Sequence, residues 1–169
     1  MIIDFHTHIF SPGLKGHREE YLARDTCFQL LYSSPNAKIA TADELVTAMD
    51  QDGVDISVAL NFGWASHDLC VETNNYILES IARYSKRITG FCAIQPMAGA
   101  KAIDEMERCA RAGAKGVGEL RPDTQGFNLA DRAIMAPVVE AAQELGLILL
   151  FHASEPVGHE YKGKGKVTP

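Results

Sequence analysis

Apolar residues along this 169-residue chain follow two alternating rhythms. Nearly continuous apolar runs at residues 2–5, 54–60, 88–94, 115–120 and 147–151 have the length and composition of buried strands. Between them apolar positions recur at helical spacing: Leu45, Ala48 and Met49; Ile77, Ile81 and Tyr84; Ile103, Met106 and Ala110; Val138, Ala142 and Leu145. That spacing predicts amphipathic helices, each able to cover one face of a sheet. The boundaries carry matching chemistry. Thr41 and Glu44 make a capping-box pattern, Pro137 suits a first helical turn, and Gly53, Gly113 and Gly146 can close helices.

Strict alternation of strand and helix predicts an α/β fold with parallel strands joined by right-handed crossovers. An open doubly wound sheet and a (β/α)8 barrel both satisfy it, and periodicity does not choose between them. Residues 11–40 interrupt the rhythm as an insertion after strand one, with a helix predicted around residues 18–31. Such an insertion is expected to build one wall of a pocket. Residues 158–169, with Lys162, Lys164 and Lys166 among glycines, read as a loop-like tail rather than a phosphate site. A single domain over residues 1–169 is the expectation.

Composition narrows the function classes. Apolar residues at 46% and charged residues at 22% suit a globular domain with a real core. A net charge of −6 offers no field for a polyanion, so nucleic acid is disfavoured and a small-molecule substrate fits better. Cys27, Cys70, Cys92 and Cys109 form no CxxC pair and read as reduced, buried thiols. No apolar stretch reaches membrane-spanning length and no leader pattern opens the chain, so a cytoplasmic location without membrane contact is expected.

The candidate chemistry lies where strands end. In Asp4-Phe5-His6-Thr7-His8 the imidazoles are two positions apart, so on a strand they share a face. They can chelate one ion, or be two hydrogen-bonded core histidines. Both predicted architectures place ligands at the carboxyl ends of strands. Glu119, closing Gly116-Val117-Gly118-Glu119, and His152, following the fifth apolar run, occupy equivalent ends. A carboxylate there needs a cation, either a metal ion or Arg121 in an ion pair. Glycines at 116 and 118 leave room beside Glu119, and three histidines at matching strand ends favour the metal. Lys115 begins strand four, at the wrong end for a carbamylated ligand.

Substrate-binding candidates surround these positions. Arg121 can hold a carboxylate bidentately, or pair with Glu119 or Asp123. Asn61 and Trp64, with His67 and Asp68, follow strand two, while Glu155 and His159 follow His152. His17, in the insertion, reads as a surface residue.

The segments IIDFHTHIF, GVGELRPD and LILLFHASEPVGH together resemble the amidohydrolase superfamily, specifically the metal-dependent hydrolases called amidohydrolase type 2. The resemblance spans nearly the whole chain and implies a (β/α)8 TIM barrel. It implies His6 and His8 as strand-one ligands, Glu119 as the strand-four ligand and His152 as the strand-five ligand. These would hold one or two divalent ions, zinc expected and manganese the alternative. A Glu at strand four resembles the two-metal branch, whereas decarboxylase relatives use one ion. The implied activity is metal-activated attack of water on a small amide, ester or lactone. The alternatives are a decarboxylase of the same fold, or a non-catalytic fragment completed by another chain.

Family barrels continue through strands six to eight, which bring another histidine and the aspartate that serves as general base. About five strands are recognisable here, so a truncated, cleaved or partner-completed chain with incomplete activity is expected. Open sheet edges would favour a homo-oligomer or a complementing C-terminal half.

Overall fold

The computed structural model describes residues 1–154, 158–161 and 163–165. Its strands fall on the five apolar runs: β1 (Ile3–His8), β2 (Ile56–Leu60), β3 (Ile88–Cys92), β4 (Gly116–Leu120) and β5 (Ile148–Phe151). They form one parallel sheet in the order β1-β2-β3-β4-β5. Each strand lies beside its predecessor, as in the wall of a barrel, whereas a doubly wound sheet reverses its order at a switch point. The architecture that periodicity leaves open is therefore a (β/α) half-barrel. β1 runs beyond its apolar run because Thr7 and His8 stay in register with Ala59 and Leu60. The Thr7 hydroxyl also donates to the Val58 carbonyl at 2.9 Å. Both histidines thus lie on the strand itself.

The connections are helical: α1 (Pro12–Gly16), α2 (Arg18–Arg24), α3 (Thr26–Tyr32), α4 (Ala42–Asp52), α5 (His67–Arg83), α6 (Ala100–Arg111), α7 (Pro122–Gln125) and α8 (Arg132–Leu145). The helix expected over residues 18–31 is broken at Asp25, whose extended backbone ends α2. Its carboxylate caps α3 by accepting from the Phe28 N–H at 2.8 Å, and also accepts from the Ala65 N–H at 2.9 Å. One acidic side chain thereby sets the bend and ties the insertion to the loop after β2. The capping box of α4 forms as expected, with Thr41 and Glu44 bonding reciprocally, and α4 ends at Gly53 with φ of 72°. Pro137 lies inside α8 rather than in its first turn, because Asp131 caps that helix further upstream. Among the described residues no helix is long and apolar enough to cross a membrane.

Burial explains why the two rhythms assemble. On the outer face Cys92, Val117 and Leu120 pack with Met106 and Cys109 of α6 and Val138 and Ala142 of α8. Ala59 and Ile88 pack with Ile77 of α5 and Ala42 of α4. Val58, Leu60 and Phe91 form a smaller cluster with Leu150. All four cysteines are buried and unpaired.

One polar network crosses this core. Asn74 of α5 accepts from the Ala93 N–H at 2.7 Å and donates to the Ala93 carbonyl at 2.9 Å and to Glu105 at 2.7 Å. Glu105 also receives two bonds from Arg108, at 2.8 and 2.7 Å. Burial alone would push the Glu105 carboxyl up, but the bonds from Arg108 and Asn74 outweigh it and hold it below the usual range. A depressed folded pKa stabilises above the unfolded value, and that stability is lost as pH falls through the folded value. Urea unfolding from neutral into acidic pH is expected to show a smaller fall in midpoint for Glu105→Gln than for the native chain. Equal falls would remove Glu105 as a source of acid sensitivity.

Candidate metal centre

His6 and His8, alternating along β1, present their rings to the same side, with Nε2 atoms 3.2 Å apart. Glu119 reaches them from β4, its Oε2 lying 3.8 Å from His6 Nε2 and 3.7 Å from His8 Nε2. One ligand atom from each of the three lies within 4.8 Å of the others. The backbone before Glu119 explains the approach. Gly118 has φ of 145°, and a Cβ there would sit 2.6 Å from the Leu150 carbonyl oxygen. Glu119 then donates its own N–H to the Asn61 carbonyl at 2.8 Å, which ties the end of β4 to the end of β2.

The protonation pattern suits cation binding. A carbonyl can only accept, so His8 donates its Nδ1–H to Leu60 at 3.2 Å and keeps the Nε2 lone pair for the cluster. Burial pulls the His8 pKa down more strongly than Glu119 raises it, which leaves a neutral imidazole at neutral pH. For Glu119, burial alone would favour the protonated acid. The hydrogen bond to His152 does most to outweigh burial and hold its pKa below the usual carboxylate range. Two imidazoles and one carboxylate form a donor set that zinc or manganese accepts, so the residues present fit a divalent ion.

His152, expected as the fourth ligand, bonds Glu119 and lies beside the three-residue group. Its Nδ1 lies 2.7 Å from Glu119 Oε1 and its Nε2 lies 3.1 Å from the Gly163 carbonyl oxygen. The ring stands outside the three-atom cluster and holds Oε1, leaving Oε2 turned toward His6 and His8.

The substrate-binding candidates scatter. Arg121 is 2% exposed and pairs with neither Glu119 nor Asp123 among the described residues. Its Nη2–H donates to the Gly163 carbonyl at 2.8 Å, and its buried Nε–H meets no acceptor among the described residues. Asn61 and Trp64, expected to line the pocket, are instead core residues. Asn61 Oδ1 accepts from the Phe62 N–H and the Trp64 indole at 2.7 and 3.2 Å, while its Nδ2 donates to Thr73 and Asn74 at 3.0 and 2.6 Å. With its amide filled, nothing remains for a ligand. Trp64 is fully buried and stacks on Phe28 of the insertion at 5.3 Å. His67 begins α5 with a buried Nδ1 that has no partner among the described residues, and Asp68 is exposed. His159 is exposed beside Tyr161, 5.8 Å between ring centroids. His17 is exposed, as expected, and Glu155 lies outside the described residues.

Sequence reasoning passed over two residues that organise the region. Gln125 accepts from the Arg121 N–H at 2.8 Å and donates to the Trp64 and Ile94 carbonyls at 2.9 and 2.7 Å, joining the loops after β2, β3 and β4. A buried glutamine in a loop leaves no periodic trace. Gly163, whose carbonyl meets both Arg121 and His152, has φ of +86°, and a Cβ there would fall 2.6 Å from Leu31. In sequence it is one glycine among lysines.

The histidine pair and the carboxylate gather at the carboxyl ends of the strands, the rim where α/β barrels place their ligands. The family model described as amidohydrolase matches residues 3–166, and the chain belongs to that family. Among solved structures it is similar to the 5-carboxyvanillate decarboxylase of Sphingomonas paucimobilis, with 19% identity and a TM-score of 0.73, covering 92% of this chain and 52% of that one. It is also similar to the 5-carboxyvanillate decarboxylase of Novosphingobium aromaticivorans, solved with bound manganese and 3-methoxy-4-hydroxy-5-nitrobenzoic acid. There identity is 19% and the TM-score 0.72, over 90% of this chain and 50% of that one. A third is a probable 2-pyrone-4,6-dicarboxylic acid hydrolase of Acinetobacter baumannii with citric acid bound. Its identity is 17% and its TM-score 0.58, over 90% of this chain and 49% of that one. The chain therefore spans about half the length of these structures.

The filled amide of Asn61 makes a structural role testable. Asn61→Ala removes the acceptor of the Trp64 indole and of the Phe62 N–H and one bond to Asn74, and is expected to cost about 1–3 kcal/mol of stability in denaturant titration. Affinity for a divalent ion should stay unchanged, and a selective loss of ion binding at full stability would contradict this assignment.

Proposed function

We propose that this protein is a metal-dependent hydrolase that holds one or two divalent ions, zinc or manganese, and cleaves a small amide, ester or lactone. The convergence of His6, His8 and Glu119 within 4.8 Å carries this reading. A divalent ion supplies Lewis acidity there, bringing the pKa of water toward neutrality and drawing electron density from a substrate oxygen. The protein's own residues do the rest. His8 offers a neutral nitrogen because Leu60 takes its other N–H, and His152 fixes the Glu119 carboxylate from behind. His6, with a side chain 49% exposed, leaves one side of the cluster open to a small molecule. Arg121 and His152, beyond the cluster, face the same Gly163 carbonyl oxygen. A general base would come from the part of the barrel that the longer relatives possess and this chain does not span.

A decarboxylase of the same fold is the second reading. It is supported by the two 5-carboxyvanillate decarboxylases among the similar structures and by the buried Arg121, which has no carboxylate partner among the described residues. One firmly bound ion per site would favour decarboxylation, two would favour hydrolysis. The exposed apolar residues Ile3 and Phe5 on β1 and Ile148 on β5 support a further proposal, that a second copy or a complementing half covers this sheet. Sedimentation of the native chain reads that directly.

Elemental analysis after dialysis against zinc or manganese tests the central reading. The native chain should retain the ion, and His6→Ala with His8→Ala should abolish stoichiometric uptake. His152→Ala, which frees Glu119 Oε1, should weaken affinity about 10–100-fold. Unchanged uptake in the double histidine variant would end the proposal.

A further inference from the structure

A groove of about 440 Å³ opens on the insertion, where the end of α1 and the start of α2 meet the loop before α4 and the first turn of α4. Its charges do not balance. Lys15, Arg18 and Lys38 line it against a single carboxylate, Glu44. That carboxylate is already committed: Oε1 accepts from Lys15 Nζ at 2.5 Å and Oε2 from the Thr41 N–H at 2.8 Å, which holds its carboxyl down at about 2. Lys15 is thereby neutralised. Arg18 donates from Nη1 and Nη2 to the carbonyls of Ser34 and Ala37, at 3.0 and 2.8 Å, and these neutral oxygens leave its charge uncompensated. Lys38 is exposed and has no carboxylate partner among the described residues. Two cations therefore share one groove with no carboxylate to neutralise either, on a chain whose net charge is −6.

We propose that this groove binds a small phosphate-bearing molecule through Arg18 and Lys38. One wall is already built. The Ala37 N–H donates to the Ser34 carbonyl at 3.0 Å and the Asn36 N–H to the Ser34 hydroxyl at 3.3 Å, closing a turn that the Arg18 guanidinium fastens to α2. Lys38 follows directly on that turn. The donors select phosphate over carboxylate. A carboxylate is held best by a free guanidinium fork, but Arg18 has turned both terminal nitrogens to backbone and offers a fixed charge, and lysine offers a point charge. A compact dianion matches two such cations, and a concave surface strengthens their combined field. The volume falls in the range of small-molecule sites. None of His6, His8 and Glu119 lines the groove, so this site is separate from the metal cluster and does not rest on the proposed hydrolase reading.

The test titrates the full chain, labelled with nitrogen-15, with phenyl phosphate, inorganic phosphate, succinate and a short acidic peptide. Mildly basic solution gives phenyl phosphate and succinate the same double charge. The amide resonances of Asn36, Ala37 and Lys38 report on the groove, and those of His6 and His8 on the other cluster. Phenyl phosphate should shift the groove amides saturably, and added sodium chloride should weaken its binding. Lys38→Gln, a change at an exposed position, should weaken it about tenfold. Glu44→Gln keeps an acceptor for the Thr41 N–H but releases Lys15, and should tighten it. Tighter binding of phenyl phosphate than of inorganic phosphate assigns the site to an ester, equal binding to the free ion, and either supports the proposal. Succinate binding as tightly as phenyl phosphate, shifts confined to His6 and His8, or an affinity unchanged by Lys38→Gln would overturn it. An acidic peptide that binds more tightly than phenyl phosphate would also overturn it, making the groove a docking surface for protein.

Discussion

A buried carboxylate must be surrounded by donors or positive charge, and the rim of this half-barrel is arranged around that requirement at Glu119. Its backbone N–H is taken by Asn61, its Oε1 by His152, and its Oε2 faces the two β1 histidines. One residue of β4 thus touches the ends of β1 and β5 with its side chain and the end of β2 with its backbone. Burial opposes its ionisation, and His152 does most to overcome that opposition. The glycine before it is required by contact, since any side chain at 118 would collide with β5 backbone.

Holding such a group in place calls for rigid neighbours, and the loops supply them. Trp64 and Phe62 pack into an aromatic cluster with Phe10, Phe28 and Tyr32, so the insertion after β1 is fastened to the loop after β2. Burial there lifts the Tyr32 phenol to about 12. Asn61 and Gln125 spend their amides on backbone and core partners, converting what would otherwise be mobile connections into fixed walls. Glu119, His152 and Arg121 therefore project from ordered surroundings, as a site that discriminates between ligands needs.

The cluster of His6, His8 and Glu119 and the Arg121 guanidinium share one intermediary. His152 bonds Glu119 through one nitrogen and the Gly163 carbonyl through the other, so a change at either partner is felt at the second through a single ring. This accounts for a histidine at this strand end whose ring nitrogens are both engaged.

Much of this was legible in the chain itself. The five apolar runs became the five strands, and the capping box of Thr41 and Glu44 formed, because burial and local hydrogen bonding depend on residues close together in sequence. The two-residue spacing of His6 and His8 was enough to put their rings on one side, since strand geometry alternates by two. Strand order was not legible: both candidate architectures share one pattern, and only pairing in space separates them. Nor was the division of labour among polar groups. Asn61 and Trp64 look like pocket residues until their partners at Asn74 and Phe28 are known, and His152 looks like a free ligand until Gly163 is seen against it. A side chain's chemistry is written in the sequence, but whether its hydrogen-bonding capacity is already spent depends on residues brought near it only by folding.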